Sequence, residues 1–229
     1  MKKEKNLYNR YARKYPTLLA LGPFVAAGYF AAVSIPIESS TWSTLLRVMF
    51  PIFSGTAGFY LLSQIIRSVA IGVFENSYFS SGLRMPSSIM MSDESHEFSA
   101  DYKTKIKSKI RNDFGIDLGN LSLSSTDDLT RLRESIELVR ARVKDGHLLL
   151  QHNWEYGFVR NFCGGSLVAV VLSLINVTIF GLILSIPGAL LTNMIILGIY
   201  LIPVLVSRFA MYSYGRGYAR VLFREYLTS

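Results

Sequence analysis

Apolar and polar positions are segregated along this chain in blocks as long as whole helices. From Asn161 to Ser207 there are 47 residues without one Asp, Glu, Lys or Arg. A bilayer core about 30 Å thick takes a helix of roughly 20 residues, so this run predicts two membrane spans joined by a short turn. The turn is expected at Ser185-Ile186-Pro187-Gly188, because Pro fixes its own φ and Gly accepts a positive one. A charge-free run from Tyr15 to Ile37 predicts another span behind a basic head. A signal peptide shares that opening, and Ala32-Val33-Ser34 resembles a cleavage site, but the run exceeds the usual apolar core of a signal. Its small residues, Ala27/Ala31 and Gly28/Ala32, have the spacing that lets helices approach closely, although alanine is common in spans. Val48 to Ile66 is just long enough to cross. It carries Pro51, Ser54, Gly55, Thr56, Gly58, Ser63 and Gln64, which suit contact with other helices better than lipid. This second span is therefore expected at the centre of the bundle, lining a pore or packing against its neighbours.

Between the two pairs of spans lies a polar insert with shorter periodicities. Its start, through Ser80-Ser81-Gly82 and Pro86-Ser87-Ser88, reads as loop. Ser92-Asp93-Glu94 then supplies an N-cap and first-turn acids for a helix reaching Asp113 and stopping at Gly115. Phe98, Tyr102, Ile106, Ile110 and Phe114 form its apolar stripe, with Lys103, Lys107 and Arg111 beside it as a solvated or headgroup-facing basic stripe. A second helix is expected from a capping-box-like Ser125-Thr126-Asp127-Asp128 to Asp145-Gly146. Leu129, Leu132, Ile136, Val139 and Val143 make a two-heptad seam that packs on the first helix or pairs with another chain. A third helical segment from His147, with Trp154, Tyr156, Phe158 and Phe162, runs into the third span through an interfacial aromatic belt.

The expected architecture is an all-α integral membrane protein with four transmembrane helices and a small helical cytoplasmic insert. Its parts are a basic tail (1–14), two spans (15–67), the insert (68–160), a transmembrane hairpin (161–208) and an interfacial tail (209–229) rich in tyrosine and arginine. Charge sets the orientation. The net charge is +8, yet residues 76–160 hold twelve basic and twelve acidic side chains, so the excess sits in the two terminal tails. Four spans put both tails and the insert on one side with every Lys and Arg but Arg47, and the positive-inside rule makes that side cytoplasmic. A neutral insert gives no reason to expect direct nucleic-acid binding.

Catalytic and metal motifs are not apparent. Of the three histidines, His96, His147 and His152, the last two lie near Asp145, but offsets of two and five do not put these three on one helical face, and the single cysteine, Cys163, has no adjacent base. No span as delimited contains an ionisable side chain of the kind that marks ion coupling, and Asn176 and Thr178 read as interhelical hydrogen-bonding groups. The chain is expected to be non-enzymatic and to need no cofactor.

One constellation stands apart, Asn153-Trp154-Glu155-Tyr156-Gly157-Phe158-Val159-Arg160-Asn161, where the insert meets the membrane. Glu155 and Arg160, about 140° apart on a helix, are expected to hold this junction by facing different neighbours, Arg160 a headgroup phosphate or simply the helix end. Through Asn153, Tyr156, Gly157, Phe158, Arg160 and Asn161, and through its two-plus-two layout, the chain resembles the small multi-span membrane effectors of bacterial anti-phage systems, retron effectors among them. That resemblance implies a location in the bacterial inner membrane. It also implies restraint by a partner reverse transcriptase with its RNA-DNA product, then self-association and damage to the membrane on infection. The polar span residues Ser54, Thr56, Ser63, Gln64 and Asn176 would serve that rearrangement. The alternative is a membrane anchor or scaffold that recruits a cytoplasmic partner through the insert.

Overall fold

The computed structural model describes residues 7–34 and 55–229, and no strand occurs among them. Eight helices are named here: α1 (Asn9–Ser34) and α2 (Ala57–Tyr78), α3 (Pro86–Met91), α4 (Ala100–Phe114) and α5 (Thr126–Arg142), α6 (His147–Ile183), then α7 (Ala189–Leu205) and α8 (Ser207–Thr228). Helices α1, α2 and α6 are long and apolar enough to cross a membrane, and α7 with α8, bent by 46°, makes a fourth candidate. The expected residues Ser54 and Val48 to Phe53 of the second span lie outside the described residues, and Thr56 begins its helix.

The helix at the centre is α6, the third span, and not the second. It packs against α1, α2, α7 and α8, and its inward side is made of Gly157, Asn161, Gly164, Gly165, Ser166, Ala169, Ser173 and Asn176. Small residues let backbones touch where the surroundings offer no hydrophobic driving force. Ser63 and Gln64 of α2 are only half-buried. Their polarity suggested a central position, but a helix needs absent side chains more than polar ones to be surrounded.

Two prolines of α1 explain how it is held. Proline has no N–H for the carbonyl four residues back, so Pro16 withholds a donor from Ala12 and Pro23 from Leu19. Asn161 Nδ2 donates to the Ala12 carbonyl at 2.6 Å, and the Tyr200 hydroxyl donates to that of Leu19. Asn176 Nδ2 adds a third bond, to the Pro23 carbonyl at 2.8 Å. Thr178 bonds only its own helix, at the Leu174 carbonyl. At the far end, Gly188 takes φ 78° to open α7, and Phe30, Phe180, Ile186 and Ala189 close the bundle around the Pro-Gly turn.

Three boundaries differ from expectation. Helix α2 does not stop at Arg67 but runs to Tyr78, so part of the expected insert is helix that carries Glu75. Helix α4 starts at Ala100, capped by Ser99 Oγ accepting from the Tyr102 N–H; Asp93 instead joins the insert's loops. Its end at Gly115, with φ 71°, is where the glycine requires it. Residues 209–229 do not form a separate tail. They belong to α8, whose Leu222, Phe223 and Tyr226 are fully buried against Ile106, Ile110, Leu132, Ile136 and Val139 of the insert. Its arginines Arg216 and Arg220 both pair with Glu97 at 2.9 Å. The heptad seam of α5 is thus covered from within the chain, by α8 as well as α4.

Candidate functional site

One concavity with polar side chains, about 540 Å³, opens beside Asp93, Glu94, Asn120 and Ser122. Another, about 570 Å³, runs along α4 past Lys103, Lys107, Arg111, Asp93 and Asp117. Its cations are already committed. Lys103 is buried, its Nζ donating to the Ser92 carbonyl at 2.5 Å and to that of Ser95. Lys107 pairs with Asp93 at 2.8 Å and reaches the Gly119 carbonyl, and Arg111 lies 3.5 Å from Asp117. Lys103 and Lys107 therefore staple the insert's loops, whereas Arg111 stays solvated.

Asp93 is the knot of those loops. It accepts from the Leu121 N–H at 2.7 Å while its own N–H donates to the Leu121 carbonyl. Burial pushes its pKa up, but the bonds from Lys107 and Leu121 and the charges of Lys107 and Lys103 outweigh that, so it lies below the ordinary carboxylate value. A depressed carboxylate stabilises the fold above its unfolded pKa, and that contribution disappears as pH falls through the folded value. Asp93→Ala should make the Leu121 amide exchange about fivefold faster at pH 7, corresponding to roughly 1 kcal/mol for half-exposed bonds. After correction for intrinsic rates, mutant and parent should converge below pH 3; hydrogen exchange read by mass spectrometry checks both.

A smaller cavity, about 110 Å³, lies at the junction of bundle and insert. Six parts of the chain meet there: Tyr8 just before α1, Glu75 of α2, Pro86 and Ser87 of α3, Arg140 of α5, Asn153, Tyr156, Gly157 and Arg160 of α6, and Gly215 and Tyr218 of α8. Close approach is built in. A Cβ on Gly157 would lie 3.0 Å from Ala12 Cβ, and one on Gly215 would lie 2.7 Å from Pro86 Cγ. Helices α1 and α2 carry π-helical stretches beside it, at Asn9–Lys14 and Ala70–Glu75, a widening often found at functional sites.

The junction constellation divides over two faces of α6. Asn153, Tyr156, Gly157 and Arg160 follow the i, i+3, i+4, i+7 spacing and share the cavity side. Arg160 Nη1 donates to Glu75 Oε2 at 2.7 Å, with both side chains largely buried. Its partner here is thus a carboxylate from another helix. Glu155 faces elsewhere, accepting from Gln151 Nε2 at 3.0 Å and lying 3.2 Å from His152 Nδ1. Phe158 stacks on Phe162 at 5.8 Å. Asn161 turns to α1, as described above. Sequence reasoning missed Glu75, Tyr8, Arg140 and Tyr218. Glu75 alone had a signal, as a lone acid eight residues beyond Arg67 on a continuing helical pattern.

Several polar atoms here and along α6 have no hydrogen-bond partner among the described residues. They are the Tyr156 hydroxyl, Arg160 Nε, Asn161 Oδ1, Ser166 Oγ and Ser173 Oγ, with Asn193 Oδ1 on α7. Cys163 is buried, its thiol directed at the Pro203 carbonyl at 3.7 Å, which gives it no activating base. No three His, Cys, Asp or Glu side chains among the described residues are grouped to hold a metal ion. Searches of protein-family models, curated proteins and solved structures returned no match to this chain.

Proposed function

We propose that this chain is a multi-pass inner-membrane protein without catalytic chemistry, which permeabilises the membrane when a partner engages its cytoplasmic insert. The observation that carries this reading is the file of unsatisfied oxygens on Asn161, Ser166, Ser173 and Asn193 inside an otherwise apolar bundle. A buried polar group without a partner costs about 1–3 kcal/mol, and a rearrangement admitting water would relieve all four together. The resting bundle is then one state of a two-state element. Helix α6 takes over the role expected of the second span.

Membrane insertion is supported by an outward apolar surface that includes Val25, Tyr29, Leu61, Ile183 and Leu191, set against small and polar residues inside. A common side for both termini and the insert is supported by Tyr8, Arg140 and Tyr218 meeting at one cavity while the Pro-Gly turn closes the opposite end. The resemblance to anti-phage effectors supplies the biological setting: a reverse transcriptase with its RNA-DNA product would restrain the protein until infection.

Expression without such a partner should admit a membrane-impermeant dye and collapse the signal of a potential-sensitive one. The double variant Ser166→Ala/Ser173→Ala removes two orphan hydroxyls, so it should raise thermal stability and at the same time reduce dye uptake. If both dyes stay at baseline in cells where the parent protein is correctly inserted, the permeabilising reading fails and a membrane anchor for a cytoplasmic partner takes its place.

A further inference from the structure

We propose that the junction cavity is a binding site for a phosphate group, held between insert and bundle. Its lining is rich in donors: the guanidinium groups of Arg140 and Arg160, the hydroxyls of Tyr8, Tyr156 and Tyr218, and the Asn153 amide, against the single carboxylate of Glu75. Glu75 balances one arginine, which leaves one positive charge for an anion. Arg160 spends Nη1 on Glu75 and keeps Nε buried and unused. Tyr156, 8% exposed, lines the cavity and carries a hydroxyl without a partner among the described residues. Arg140, exposed at the edge of the site, stands 5.5 Å over the Tyr218 ring and is hydrogen-bonded to its hydroxyl, with no carboxylate paired to it among the described residues. A partly enclosed site with unpaired donors on Tyr156 and Arg160, an exposed guanidinium from Arg140 at its edge and a single carboxylate is suited to an oxyanion. About 110 Å³ holds a few waters or one tetrahedral anion, at about 30 Å³ of liquid per water, and is too small for a whole nucleotide.

The site's position gives the ligand a consequence. Arg140 belongs to the insert, whereas Tyr156 and Arg160 belong to the central helix of the bundle, so a bound phosphate ties the two together. It stabilises the arrangement described here against any other. This inference does not depend on permeabilisation, since binding is measured on the resting protein.

The test is thermal unfolding of the purified full-length protein in an uncharged detergent. One arm titrates inorganic phosphate against chloride at matched ionic strength. A second adds phosphatidic acid or, as control, phosphatidylcholine to the micelles. At a hundredfold excess over Kd the midpoint should rise by about 5–10 °C. A rise with inorganic phosphate identifies a soluble source, and a rise with phosphatidic acid alone identifies a lipid headgroup. Arg140→Gln should weaken binding about tenfold or more through loss of charge-assisted bonds. Tyr156→Phe is the more telling variant. It should leave the unliganded midpoint equal or higher, because an orphan hydroxyl is gone, while the phosphate-induced rise shrinks. The proposal is overturned if neither arm moves the midpoint beyond its control, or if the rise persists undiminished in the two variants combined.

Discussion

Truncating Glu75 to alanine should cost the fold about 3–5 kcal/mol, and replacing Arg160 as well, as in Glu75→Leu/Arg160→Met, should restore most of that loss. The pair lies 2.7 Å apart with side chains only 12% and 18% exposed, so removing one partner leaves a largely buried guanidinium without its counter-charge. Its mutual attraction largely repays the desolvation of both ions, which is why deleting both is mild and deleting one is not. The measurement is a double-mutant cycle on the detergent-solubilised protein, read as thermal midpoints. Equal losses in the single and double variants would mean that the pair is exposed in solution. The double variant also removes a cavity arginine, so it should recover stability without recovering any response to phosphate.

Gly164→Ala is expected to be the most damaging methyl group that can be added to the bundle. The new Cβ would sit 2.6 Å from Ala70 Cβ, 2.7 Å from the Ile66 carbonyl oxygen and 2.9 Å from Ala70 Cα. Two of those three atoms are backbone, and no rotamer change can move them aside. Helix α2 would have to withdraw from α6, stretching the Glu75–Arg160 contact about one turn away. Overpacking of a close-packed site costs about 1–3 kcal/mol, and a backbone clash belongs at the upper end. Gly72→Ala and Gly198→Ala meet nothing within 4 Å and should leave the midpoint within about 1 kcal/mol of the parent. Comparable losses at all three glycines would show that helix flexibility, and not close approach, decides the effect.

The legible part of this molecule was set by local physics. Ser125 and Gly115 mark helix ends because a cap and a left-handed residue work through neighbours in sequence. The apolar stripes of α4 and α5 are buried because periodicity alone selects a face. The rest depended on pairings between distant segments. Counting charges ended the second span at Arg67, since nothing local announces that Glu75 is neutralised by a residue 85 positions later. The same counting made residues 209–229 a tail, whereas their arginines meet Glu97 and their apolar face completes the insert. At the junction, the spacing of Asn153, Tyr156, Gly157 and Arg160 was sufficient to place them together. What they face comes from five other segments and was hidden.

The bend between α7 and α8 decides when this protein can be finished. Pro203 ends regular hydrogen bonding there, and Ser207, bonded to the Val204 carbonyl and to the Tyr78 hydroxyl, fixes the corner. After the corner, Met211 and Tyr212 still pack on the bundle, and from Tyr218 onward α8 joins the insert's core. As the chain leaves the ribosome, α4 and α5 emerge long before the α8 residues that cover them. The α6–α7 hairpin must be made in between. For that interval the insert carries an open apolar face beside a growing bundle of apolar helices, the kind of transient surface that invites aggregation or chaperone capture. A stop codon at Ser207 would therefore leave the long apolar helices intact and yet release a chain whose polar part cannot close, so quality-control proteolysis of the insert becomes the natural fate of an interrupted translation.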